Sequence, residues 1–368
     1  MKMLVTGADG FIGKNLSLRL REQPGTEVLT FVRGDTDSAL QTTLEQADAV
    51  VHLAGENRPN SLDAFEQVNT GLTRKICDGL RELGKSIPLL FTSSAQAVLD
   101  NPYGRSKLVA EEAVKKLAAD RGNPIAIYRL PGVFGKWCKP NYNSVVATFC
   151  HNKAHDLPVQ INDASARLRL VYVDDVVSDF LALLATGWSG LVMPVIAPQY
   201  STTLGELSAQ IDAFKNCRST LVSERVGSGL TRALYATYMS YLPNKRFAYE
   251  VPQHADSRGV FVEMLKTPDS GQFSYFTAYP GITRGGHYHH TKTEKFLVVK
   301  GTGLFRFRHL LTGELFELTT SGDKPQVVDT IPGWVHDITN VGDDELITML
   351  WANEVFDRAN PDTIAAKI

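Results

Sequence analysis

The first thirteen residues restrict the fold more than any other stretch of the chain. Met1-Lys-Met-Leu-Val5 is short and apolar, as a buried strand requires, and Thr6-Gly-Ala-Asp-Gly-Phe-Ile-Gly13 follows at once. Ile12, Leu16 and Leu20 then recur at helical spacing. A strand, a glycine-rich turn and a helix N-terminus in succession form a cradle for a dinucleotide diphosphate. Gly7 makes the tight turn, Gly10 admits the phosphates, and Gly13 lets helix pack on strand. Phe11 and Ile12, which open the helix, fall in the same predicted contact.

Apolar stretches at Val28–Val32, Asp48–Leu53 and Ile125–Leu130 alternate with helical ones up to about Leu242. Strand–helix alternation behind a glycine turn predicts a doubly wound parallel sheet of Rossmann type, with right-handed crossovers. Arg33 directly follows the second strand, where NAD-selective proteins carry an acid for the ribose hydroxyls. A guanidinium there suits a 2′-phosphate, which predicts NADPH as cofactor. Asp35 and Asp37 lie close by, and a solvated arginine is the alternative.

Tyr103-Gly-Arg-Ser-Lys107 opens a further amphipathic stretch, with Val109, Ala113, Val114 and Leu117 at helical spacing. Residues four apart share a helix face, so Tyr103 and Lys107 point the same way. A cation beside a phenol is expected to lower its pKa toward neutrality, as suits a group that moves a proton at a carbonyl oxygen. Upstream, Pro88-Leu-Leu-Phe91 leads into Thr92-Ser-Ser94, whose hydroxyls are placed to bind the same oxygen. Together these residues resemble the extended short-chain dehydrogenase/reductases that act on nucleotide sugars. The resemblance implies that Leu53, Ala54 and Gly55 line the cofactor site and that Ser94 is the catalytic serine, with Ser93 second. It also implies that Lys107 holds the cofactor ribose and that Asn143, in the loop after Pro140, contacts the diphosphate. Leu168 stands where that family carries an arginine; Arg167 and Arg169 flank it, and Arg167 is the candidate phosphate clamp.

Between Tyr235 and Pro252 the alternation stops. Short strands at 273–279, 295–299, 303–308, 314–319, 326–331 and 346–351, separated by turns, predict an antiparallel sandwich or barrel. The chain is therefore divided into domains 1–243 and 244–368. In the second, His287-Tyr-His289 places two imidazoles on one strand face, and Glu294 and His336 complete a nitrogen and oxygen set for a divalent transition metal, zinc first. The spacing Gly281-x5-His287-x-His289-x4-Glu294-x6-Gly301, followed by Pro332-Gly-Trp-Val-His336, resembles both cupin motifs and implies a jelly-roll barrel. His290 is a replacement ligand if the register slips. Asp256-Ser-Arg-Gly-Val-Phe-Val-Glu263 and Arg284-Gly-Gly-His287 resemble signatures of deoxysugar 3,5-epimerases, whose matching histidine is the base. His287 is thus claimed both as ligand and as base, and it cannot serve as both through one lone pair.

A reductase fused to an epimerase-like cupin resembles bifunctional enzymes of capsular polysaccharide synthesis. That resemblance implies a UDP-2-acetamido-2,6-dideoxy-4-hexulose as substrate and a UDP-N-acetyl-6-deoxy-talosamine as product. Carbonyl chemistry sets the order: a C–H beside a ketone is acidic only while the ketone remains, so C3 epimerisation precedes C4 reduction. Alternatives are a single-activity reductase whose cupin dimerises or braces the chain, a non-catalytic NADPH sensor, and, more distantly, a cupin dioxygenase. A net charge of −2 argues against nucleic acid or anionic membrane as partner. Four scattered cysteines without a C-x-x-C pair and no long apolar run point to a reduced, cytoplasmic protein. Edge-strand pairing, common in cupins, predicts a homodimer.

Overall fold

In the computed structural model of the 368-residue chain, the described residues are all but 59, 60, 62–64, 252, 257, 258, 263, 264, 266, 268–270 and 355–358. At 253–256, 259–262, 272 and 274 only the backbone is described. The epimerase-like signature of residues 256–263 therefore lies outside the described residues and side chains.

The elements begin β1 (Lys2–Thr6), α1 (Phe11–Arg21), β2 (Glu27–Phe31), α2 (Asp37–Gln46), β3 (Ala49–His52) and α3 (Thr73–Leu83). They continue β4 (Leu89–Ser94), α4 (Pro102–Arg121), β5 (Ile125–Leu130), β6 (Gly132–Phe134), α5 (Val145–Ala154), β7 (Arg167–Tyr172), α6 (Val173–Thr186) and β8 (Leu191–Val192). After β9 (Tyr200–Thr203), α7 (Leu204–Thr220) and α8 (Gly229–Ser240) comes a short 3-10 turn at Asn244–Arg246, and the further named elements are strands. These are β10 (Ala248–Glu250), β11 (Gln253–Asp256), β12 (Gly259–Val262), β13 (Gln272–Ala278), β14 (Thr283–Tyr288) and β15 (Glu294–Lys300). Then come β16 (Thr302–His309), β17 (Leu315–Ser321), β18 (Gln326–Asp329), β19 (Trp334–Asn340), β20 (Leu346–Ala352) and β21 (Ile364–Ala365). Two compact units result: Met1–Ser144 with Leu168–Ser201, and Val145–Arg167 with Thr202–Ile368.

The first unit holds a parallel sheet in the order β2-β1-β3-β4-β5-β8. The order reverses at β1, which pairs with β2 on one side and β3 on the other. In an open α/β sheet such a reversal leaves a ligand crevice beyond the carboxyl ends of the strands. Every residue of β3 and β4 is buried, because helices cover both faces of a parallel sheet. Leu4, Val50, Leu89 and Ile125 pack with Leu44, Ile76, Leu80, Val114 and Leu117 from the helices. The α4 helix starts cleanly: the Asn101 side chain accepts from the Gly104 amide at 2.7 Å and Pro102 occupies the first turn.

The second unit carries two five-stranded antiparallel sheets, β10-β18-β15-β20-β13 and β17-β16-β19-β14-β21, together with α5, α7 and α8. Phe296 of the first sheet meets Phe305 of the second with ring centroids 5.7 Å apart. Phe307, Val327, Val328, Ile338, Leu346 and Trp351 complete the buried layer. This is the cupin-like β architecture, following a Rossmann-type sheet. A charge cluster ties α7 of this unit to its first sheet. Asp329 accepts from Lys295 at 2.7 Å and from Arg218 of α7 at 2.5 Å, and both cations lie over the Tyr249 ring. No helix among the described residues is long and apolar enough to cross a membrane.

Candidate active sites

The glycine turn is shaped by close backbone approach. Gly7 sits at φ 68°, and a Cβ on it would lie 2.8 Å from Ala54 Cα. One on Gly13 would lie 2.1 Å from the Gly7 carbonyl oxygen. Gly10 caps α1 with no side chain to occupy the first-turn N–H groups, so the turn fits a diphosphate. Phe11 and Ile12 are half-buried at the start of α1. Leu53 and Ala54 are fixed beside this turn, their amides donating to the Thr6 carbonyl at 3.2 Å and the Thr6 hydroxyl at 3.3 Å. Arg33 follows β2 with its side chain 86% exposed, and its guanidinium donates to Glu56 at 2.9 Å. Asp35 turns back to accept from the Val32 amide at 2.7 Å, and Asp37 pairs with Lys75 at 2.7 Å.

The catalytic candidates gather where β4 ends and α4 begins. Ser94 is buried at the end of β4, and its hydroxyl accepts from the Gln96 amide at 3.1 Å and hydrogen-bonds Tyr103. Tyr103 also packs against Phe65, with centroids 5.8 Å apart. Lys107 is buried on the same face of α4 and donates to the Thr92 carbonyl at 3.1 Å; a Cβ on Gly55 would lie 3.1 Å from its Nζ. The expected lowering of the Tyr103 pKa does not appear. Burial raises it, with the Ser94 hydrogen bond acting the other way, and Lys107 directs its ammonium to Thr92 instead. Lys107 itself is pushed down to about 8 by burial, against the pull of Glu111. A protonated phenol is the form that donates to a ketone oxygen, so the shift suits reduction.

Three neighbours carried no sequence signal. Glu111 accepts from Ser93 at 2.5 Å and holds Arg129 through two bonds of 2.8 and 2.7 Å, which occupies Ser93 and leaves Ser94 beside the phenol. Asn69 donates to Ser106 at 2.9 Å and to the Glu56 carbonyl at 3.0 Å, while its own oxygen accepts from the Glu56 amide at 2.7 Å. Buried His52 bridges Thr6 at 2.7 Å and Thr73 at 2.8 Å, and burial next to Lys107 pushes its pKa down to about 3. Asn143 is exposed in the loop before α5, and Arg167 is exposed at the start of β7, where its charge is felt by Glu206.

In the second unit, β14 and β19 pair so that His287 and His336 are cross-strand partners, with ring centroids 4.8 Å apart. His289, just past β14, and Glu294, opening β15, close the group. One nitrogen or oxygen from each of His287, His289, Glu294 and His336 lies within 4.8 Å of all the others. His289 Nε2 is 3.2 Å and His336 Nε2 3.5 Å from Glu294 Oε2. Both ring nitrogens of buried His336 lack a well-formed hydrogen bond. An N3O donor set with such nitrogens fits a transition metal. His289 is oriented from behind, its Nδ1 against the Asp362 carbonyl. The Asp362 carboxylate accepts from the amides of His290, Thr291 and Lys292 at 2.8, 2.7 and 2.8 Å, a clamp with no counterpart in the sequence motif. His290 has its backbone engaged there and does not join the group. His287 alone of the four is only half-buried. Its pKa is pushed down to about 3 by burial first and then by His336 and His289. It opens onto a cavity of about 190 Å³ lined also by Phe276, Arg284, Phe296 and Asp337.

Residues 3–194 match the NAD dependent epimerase/dehydratase family, and residues 254–364 match the polysaccharide biosynthesis C-terminal domain. The chain is 55% identical over 368 residues to UDP-2-acetamido-2,6-beta-L-arabino-hexul-4-ose reductase from Pseudomonas aeruginosa, covering 100% of this chain and 99% of that one. Among solved structures it resembles the capsular polysaccharide assembling protein CapF from Staphylococcus aureus at 42% identity and TM-score 0.69, with 100% of both chains covered. UDP-glucuronic acid 4-epimerase from Bacillus cereus, at 20% identity and TM-score 0.53 over 59% of this chain, shares the fold. The glycine cradle and the Ser94–Tyr103 pair lie within the first matched region and the histidine cluster within the second: this chain is an enzyme of the NAD dependent epimerase/dehydratase family, extended by a polysaccharide biosynthesis C-terminal domain.

Proposed function

We propose that the chain is a bifunctional nucleotide-sugar enzyme: residues 244–368 epimerise C3 of a UDP-2-acetamido-2,6-dideoxy-4-hexulose, and residues 1–243 then reduce its C4 ketone. The observation that carries the reductive half is the hydrogen-bonded pair Ser94–Tyr103, with buried Lys107 one turn along the same face of α4. When bound, NADPH supplies hydride to C4. Tyr103 gives its phenolic proton to O4 as charge builds there, Ser94 orients that oxygen, and Lys107 is assigned to the cofactor ribose. Arg33 meets the 2′-phosphate, and Asn143 and Arg167 are assigned to the UDP diphosphate. Likeness to a full-length relative whose name specifies a UDP-linked hexul-4-ose supports the substrate class.

In the C-terminal part, His287, His289, Glu294 and His336 can all hold a divalent transition metal, zinc first. A bound ion supplies positive charge for the enolate oxygen. Three protein ligands are enough for a site with an open position, and His289, Glu294 and His336 are the buried three. That leaves half-buried His287, facing the cavity, to take the proton from C3, and a solvent-derived proton delivered to the opposite face completes the inversion. Deprotonation needs the ketone, so it precedes reduction. The test is Tyr103→Phe supplied with substrate and NADPH. Loss of NADPH oxidation with continued solvent exchange at C3 is expected, and loss of both would defeat the division of labour.

A further inference from the structure

We propose that Glu56 limits how strongly Arg33 selects a 2′-phosphate, acting as a standing competitor for the guanidinium; this rests on the NADPH reading above. The Arg33 side chain is 86% exposed and pairs with Glu56, whose side chain is 15% exposed, at 2.9 Å. The two partners are held very differently. Glu56 Oε1 accepts from the Tyr142 hydroxyl at 3.0 Å and from the Asn57 and Arg58 amides at 3.2 and 3.4 Å. Its backbone is locked to buried Asn69 from both sides. Burial raises the Glu56 pKa, but the hydrogen bonds from Tyr142, Arg58, Arg33 and Asn57 outweigh it, so the carboxylate stays charged at neutral pH. The carboxylate is therefore a fixed charge and the guanidinium the part that swings.

The residue after the second strand of this fold faces the adenosine ribose. A 2′-phosphate arriving there must share Arg33 with a carboxylate that does not move, and it meets like charge. A ribose hydroxyl meets neither penalty and can donate to that same carboxylate. Glu56 thus narrows the gap between NADPH and NADH.

Calorimetric titration of the full-length protein with NADPH and with NADH tests this. Glu56→Gln keeps an acceptor for Tyr142 and the two amides while removing the charge. It should tighten NADPH about fivefold, the scale of an exposed ion pair, and leave NADH unchanged or weaker. Glu56→Asp, with the carboxylate drawn back by one methylene, should move the ratio the same way by less. Arg33→Ala should lower NADPH preference, and adding Glu56→Gln to it should have little further effect. If Arg33→Ala lowers the preference but Glu56→Gln leaves it unchanged or lowers it too, the role of Glu56 is overturned while the NADPH reading stands. If Arg33→Ala leaves the preference unchanged, both fall.

Discussion

Ser93 donates its hydroxyl to Glu111 at 2.5 Å, and so the two adjacent serines that end β4 have different work. Ser93 belongs to a buried carboxylate that also holds Arg129, and Ser94 faces the phenol of Tyr103. Ser94→Ala should lower the kcat of NADPH oxidation about 10²-fold, the usual effect of losing a transition-state hydrogen-bond donor. Ser93→Ala should keep turnover within a few-fold and reduce stability by about 1 kcal/mol, since Glu111 keeps its arginine. Steady-state kinetics and denaturant unfolding separate the two.

The alkaline limb of the pH profile should belong to Lys107, whose pKa burial pushes down to about 8. Once neutral, the amine loses the charge with which it holds the cofactor ribose. The kcat/KM for reduction should therefore fall by about tenfold per pH unit above that value. Stability runs the opposite way. The folded-state pKa lies below that of a free lysine, about 10.4, so between the two values the unfolded chain binds more protons. Lys107 thus costs stability at neutral pH, and the cost is relieved as pH rises through that window. A pH–rate series on the keto sugar, paired with unfolding at each pH, checks both signs.

Removing the proposed metal should silence one half only. His336→Ala, or dialysis against a strong chelator, should strip the ion and abolish solvent exchange at C3. His287→Gln should keep metal content near that of the parent while exchange falls by about 10²-fold or more. Metal analysis of each purified variant decides whether His287 is base or ligand. A His287 variant without metal would make it a ligand.

Asp329 shares its carboxylate between Lys295 and Arg218, and all but about one per cent of its side chain is buried. Asp329→Asn leaves buried Lys295 and partly buried Arg218 without their counter-charge and should cost about 3–5 kcal/mol. Asn244→Ala, which removes an exposed hydrogen bond to Glu314, should stay within about 0.5 kcal/mol. Thermal unfolding of the two variants gives the comparison.

Features encoded by local spacing are legible in the sequence. The turn from Gly7 to Gly13, the Tyr103–Lys107 pair on α4, and the series His287, His289, Glu294 each span at most eight residues, so local spacing places them. The strands expected at 28–32, 48–53 and 125–130 appear as β2, β3 and β5, shifted by a residue or so at their ends. Partners brought together across the chain left no such trace. Asn69 reaches Ser106 and Asp362 reaches His289 only once the sheets have formed. The direction of the Tyr103 pKa shift is hidden from the sequence for a related reason. Helical spacing puts Lys107 on the right face, but the direction of its ammonium is set by the Thr92 carbonyl on β4.

The most direct measurement is incubation of the full-length protein in D2O with NADPH and a UDP-linked 4-keto-6-deoxy-N-acetyl sugar, followed by NMR of the product. The account predicts one NADPH oxidised per sugar converted, a hydroxyl at C4, and solvent deuterium at an inverted C3. A product reduced at C4 with its C3 hydrogen and configuration retained would contradict the two-step account, and an untouched sugar would contradict the reductase assignment as well.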